Sequence, residues 1–307
     1  VSEIEVAREL FIHWLNHEYE RNFALADGER SPAVAAAGDT RLAIETRALL
    51  DASQNGRWNA ARAGLEERLA EQVPAAIVVW LPLGAKLPSE EPAASEFVDL
   101  FSKAAVKLGP RERGYVRLPI DLLLRKNTDS GGVVSVTGGL NHYWARFTDL
   151  VRGTYDLDSS RLHRLPESDE HLQSVIETIA ERAGQMKTGE VARIETFDAW
   201  TVQRVAGKGG ATIVGVPHDL SDDFALDVRR NLRRLIADSG PRLREADAGL
   251  RALVLLGYYP RIEQETVTTA MRGYDPSMYA GIDFVCLVAD GVVKPLIQAP
   301  AAAVSSR

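Results

Sequence analysis

The sequence predicts an α/β protein: a mixed central sheet flanked by helices, with a β-rich middle insertion. Three observations lead there. Amphipathic stripes and short apolar runs alternate through residues 1–110 and again through 218–298. Between them, short strand candidates crowd around Gly131-Gly132, Gly138-Gly139 and Gly209-Gly210. The run Ala75–Leu81 is almost unbroken apolar and β-branched, as expected of a central strand covered on both faces. The expected organisation is an α/β core whose first part is 1–110 and closing part 218–298. A β-rich subdomain occupies 111–217, and 299–307 forms a flexible tail.

In order, Ile4, Ala7, Leu10, Phe11, Trp14 and Leu15 recur at three-and-four spacing and predict a helix over 3–20. Ser2 is its expected N-cap, and Glu3 and Glu5 suit its positive end. The small apolar run 32–37, the turn Gly38-Asp39 and the run 40–50 read as a hairpin. Trp58, Ala61, Leu65 and Leu69 mark a second helix ending before Pro74, with Arg57, Arg62 and Arg68 giving it a partly basic face. A third helix follows over 94–108. In the middle, strands are expected at 115–118, 133–137, 200–205 and 211–216, with a helix over 168–186. Residues 198–204 and 210–216 should form a hairpin whose tip is Gly207–Gly210. That tip lacks the Lys-Ser/Thr ending of a phosphate loop and precedes no helix. The last third predicts a helix over 222–238, with Phe224, Leu226, Val228, Leu232 and Leu235 inside and Arg229, Arg230, Arg233 and Arg234 outside. A strand over 250–258, a helix over 263–272 and a hairpin of 283–288 with 292–297 complete it.

The chain has 307 residues and a net charge of −7, so nucleic acid could be held only by a local basic patch. A single cysteine, Cys286 in an apolar run, excludes an internal disulfide and a cysteine zinc cluster and reads as a buried, inert thiol. Apolar runs are too short to span a membrane, and no signal peptide is visible, so the expected location is cytoplasmic. His13 and His17 are four apart but lack the glutamate of a zinc helix, and neither G-x-S-x-G nor a post-strand G-x-G-x-x-G occurs.

The polar focus is in 38–50. Glu45 and Arg47 are two apart on an apolar strand, so both point to one face. A buried acid–base pair is costly unless paired or put to chemical use. A plain same-face salt bridge is the structural alternative. Asp39 shares the strand parity of Glu45. Asn141–Thr148 mixes aromatics with Arg146 and could stack bases or simply pack Trp144 and Phe147.

A helix followed by a hairpin, with Ser31-Pro32-Ala33 before its first strand and Glu45-Thr46-Arg47 in its second, resembles the PD-(D/E)XK, or restriction-endonuclease-like, nuclease superfamily. The likeness covers about the first 80 residues. It implies Mg²⁺-dependent cleavage of phosphodiester bonds in DNA or RNA, with Glu45 as metal ligand and Arg47 as the charge stabiliser where the family has lysine. Ala33 stands where the family's aspartate would be, so a second ligand would have to be Asp39 or Asp27. Substrate contacts are expected from Arg57, Arg62 and Arg146. The alternatives are an inactive nuclease-fold module, binding nucleic acid, a protein partner or a second copy as a homodimer, and an α/β protein with a small-ligand site in its middle region.

Overall fold

The computed structural model describes all residues except 1, 27–31, 53, 167, 208, 219–223, 258–266, 302–303 and 305–307. In chain order, α1 (Glu3–Glu18), β1 (Ala24–Leu25), β2 (Ala33–Ala37), β3 (Thr40–Ala48), α2 (Gly56–Gln72), β4 (Ile77–Trp80) and α3 (Ala93–Ala105) come first. Next are β5 (Arg113–Thr128), β6 (Gly132–Gly138), α4 (Trp144–Thr148), β7 (Gly153–Ser159), α5 (Asp169–Gln185), β8 (Val191–Arg204) and β9 (Ala211–Val214). The chain closes with α6 (Phe224–Glu245), β10 (Leu250–Leu256), β11 (Phe284–Ala289) and β12 (Val292–Ile297). The fold is mixed α/β, with two mixed sheets flanked by helices. It divides into a larger unit, Val1–Gly114 with Thr201–Arg307, and a smaller one, Tyr115–Trp200. The expected insertion, 111–217, is thus longer at its C-terminal end than the smaller unit.

The larger unit is built on the sheet β1-β2-β3-β10-β11-β12. Strands β1, β2 and β3 form an antiparallel meander, β3, β10 and β11 run parallel, and β12 returns antiparallel. Both faces are covered, which is why β10 and β11 read as continuous apolar runs. On one face Phe11 and Leu15 of α1 pack with Leu42, Ile44, Val254 and Cys286. On the other, Val228, Leu232 and Ile236 of α6 pack with Ala43, Leu253, Leu255 and Val285. Ser2 caps α1 in a full capping box with Glu5, as expected. Burial pushes the Cys286 thiol far above its ordinary range, in keeping with an inert core residue.

Three expectations change here. Strand β9 does not form a hairpin with β8: it pairs parallel with β4, and β4 pairs antiparallel with β8. All four residues of β4 are buried, and flanking them with a strand on each side satisfies their backbone. Helix α6 extends seven residues past the expected end, through Pro241, and Leu226 is exposed rather than inside. Proline removes one N–H from the helical ladder, so the sequence offered a stop there that packing of Leu243 overrides. In the expected tail, Ala299 and Val304 are buried against α1, where Tyr19 donates a hydrogen bond to the Ala299 carbonyl and Arg21 to that of Val304. The Phe224 side chain lies outside the described residues, and so does part of the helix expected over 263–272.

In the smaller unit, β7 pairs antiparallel with β5 over Leu123–Thr128 and parallel with β6. Leu122, Leu124, Val136, Tyr155 and Leu157 pack under Leu172, Ile176 and Ile179 of α5. Ser168 caps α5, accepting from the His171 N–H.

Candidate functional site

The charged focus of the larger unit forms where β3 meets α6. Alternation on β3 sends Leu42 and Ile44 to the α1 face and Glu45 to the α6 face. The Glu45 side chain is 0% exposed. Its Oε1 lies 2.8 Å from Nε of Arg47 and 3.0 Å from Nη2 of Arg242, in the last turn of α6. Both arginine side chains are 39% exposed, so each guanidinium reaches from the carboxylate to the surface. The contacts are ion pairs more than aligned hydrogen bonds: the Nε of Arg47, and the Nε and Nη2 of Arg242, are buried and meet no acceptor in bonding geometry among the described residues. Among the described residues, two permanent cations meet this one carboxylate, an excess of one positive charge. Such a group suits an anion with several acceptor oxygens, above all a phosphate.

Arg242 was not legible from the sequence. It is 197 positions from Glu45, and the only hint was a run of arginines on one apolar-faced helix. Arg229, Arg230, Arg233 and Arg234 of that helix are exposed, as expected.

Asp39 and Glu45, expected to share Mg²⁺, are not brought together. Asp39 is exposed in the β2–β3 turn, and the strand from Thr40 to Glu45 alone spans roughly 17 Å. A magnesium ligand must lie about 2.1 Å from the ion. Glu45 is moreover already engaged by two guanidinia. These residues therefore do not fit the ion that the resemblance implies, and no group of three or more His, Cys, Asp or Glu among the described residues is placed to hold one. Asp27 lies outside the described residues. Ala33, taken as the vacant acid position, does not face Glu45 either: it pairs with Ile44 and so shares the α1 face. Continuing that register sets Pro32 across from Glu45.

The expected substrate contacts are scattered. Arg57 is exposed at the start of α2. Arg62 is held by Glu3 at 2.8 Å and lies near Glu66, so its charge is spent within the fold. Burial raises the proton affinity of both glutamates above the ordinary carboxylate value. Arg146, in the smaller unit, lies over the Tyr143 ring at 5.3 Å, while Phe147 is buried and Trp144 is half exposed.

The smaller unit has a second buried carboxylate that sequence reasoning placed only as part of a hairpin. Asp198 Oδ1 accepts from the backbone N–H groups of His163 and Arg164 at 3.1 and 2.9 Å. Its Oδ2 accepts from the Trp200 indole at 2.8 Å and lies 2.8 Å from Nδ1 of His163. No protein-family model, curated protein or solved structure matches the chain.

Proposed function

We propose that the larger unit is a nuclease-like module that binds the phosphate backbone of nucleic acid through Arg47 and Arg242, with the exposed arginines of α6 widening the contact. One observation carries this reading: a fully buried Glu45 holds two partly exposed arginine side chains, with one positive charge in excess among the described residues. A carboxylate that fixes both cations reduces the side-chain entropy lost when a phosphate docks. The order helix, hairpin, Glu-x-Arg on the second strand supports the nuclease-like part of the reading. Binding is favoured over metal-dependent cleavage because the Asp39–Glu45 pair that cleavage would need is not assembled.

The test is fluorescence anisotropy with duplex DNA and RNA across a salt series, alongside plasmid nicking in Mg²⁺ and Mn²⁺. Expected is binding that weakens with salt, with the slope falling by about 0.9 for each of Arg47→Gln and Arg242→Gln. Each variant leaves one cation on Glu45. Binding that ignores both substitutions would defeat the reading. Nicking lost in Glu45→Ala would restore the catalytic form.

A further inference from the structure

The smaller unit contains a cavity of about 560 Å³, within the range of small-molecule sites, that the phosphate-binding reading of the larger unit does not use. Its wall carries two large aromatic rings turned toward solvent: Phe197, 56% exposed, and Tyr115, 41% exposed. Arg117 and His171 also line it, both exposed, and neither side chain has a salt-bridge partner among the described residues. Arg164 completes the wall, with its guanidinium 5.1 Å above the Tyr115 ring. No carboxylate stands among the described lining residues.

The placement follows from the local fold. Tyr115 and Arg117 are two apart on β5 and therefore share a face. Phe197 and Asp198 are adjacent on β8, so when Asp198 is buried, Phe197 is turned outward. The four hydrogen-bonding groups on Asp198 fix both β8 and the 163–164 segment that carries Arg164. The wall is thus preformed, with the exposed Phe197 side chain and the Tyr115 ring under Arg164 beside a second arginine, Arg117.

From this pairing we infer that the cavity binds a nucleotide unit: a planar base stacked on Phe197 or Tyr115, with its phosphate at Arg117 and His171. Base–aromatic stacking tolerates any base because each has a π-face, and arginine serves the phosphate. The unit could be supplied free or as part of a single strand, and the chemistry of recognition is the same.

Isothermal titration calorimetry on the full chain tests this, with AMP and UMP, adenosine, inorganic phosphate and a short oligo(dT) as ligands. Arg117→Gln and Phe197→Ala are the variants; both sites are exposed, and circular dichroism checks their folding. Expected is binding of the mononucleotides or the oligonucleotide, tighter than adenosine or phosphate by tenfold or more and weakened at least tenfold by each variant. Binding of oligo(dT) alone with that dependence assigns the unit to single strands; binding of AMP and UMP assigns it to free nucleotides. No binding at millimolar ligand, adenosine or phosphate binding as tightly as the nucleotide or oligonucleotide that binds, or indifference to both variants would each overturn the inference.

Discussion

Glu45 and Asp198 are both buried carboxylates, and they are held in opposite ways. Asp198 is surrounded by short, fixed donors: two backbone N–H groups, an indole and an imidazole of the same unit. None of these donors is an arginine or lysine side chain, and the arrangement locks backbone to backbone. Glu45 is held by two long cations whose far ends reach water. Its burial leaves surplus charge on display. A carboxylate satisfied by the main chain serves the fold; one satisfied by mobile cations also shapes a surface that an anion can use.

The most damaging change should be Asp198→Ala. It strands two backbone donors and an indole in the interior and is expected to cost about 3–5 kcal/mol in urea unfolding. Glu45→Gln should cost less, roughly 1–2 kcal/mol, because both arginines can turn their charge to water. Equal costs for the two would erase the contrast.

Glu3 is an intermediate case, with one cation, Arg62, and a proton affinity raised chiefly by burial. The folded chain holds that proton more tightly than the unfolded one. Stability should therefore fall as pH rises from the ordinary value of 4.5 through the raised value, with the loss complete above it. Glu3→Gln should flatten that stretch of a pH-dependent melting curve; a curve of unchanged slope would count against burial as the cause. The smallest effect belongs to a group with no buried charge. Ser2→Ala removes the α1 cap and should cost about 1 kcal/mol in the same unfolding assay.

Much of the fold was legible because local rules and packing agree. The α1 stripe, the Ser2 cap, the Gly38-Asp39 hairpin and the apolar β10 each satisfy one period, cap or turn rule that the tertiary structure then uses. Where they disagree, the reading stopped short. The strand expected over 115–118 runs from Arg113 to Thr128, straight through Pro119. Pro119 lies outside the stretch paired with β7, so its missing N–H breaks no bond to that strand. Strand β7 was missed although Gly153, Tyr155, Leu157 and Ser159 alternate inward, because its outward residues, Thr154, Asp156 and Asp158, look like a loop. Glu45 and Arg47 were visible as neighbours two apart. Arg242 and the partners of Asp198 were not, since only the fold brings them near.

Pro241 gives the last turn of α6 a property of its own. The helix lacks one rung at that point, immediately before the arginine that meets Glu45. The segment 242–245 is therefore the part of α6 most easily released from the rest, a joint placed next to the charge it carries. Amide hydrogens there should exchange with solvent sooner than those over 228–236, and an anion clamped between Arg47 and Arg242 should slow them. Deuterium uptake along this one helix would then report occupancy of the site without any assay of activity.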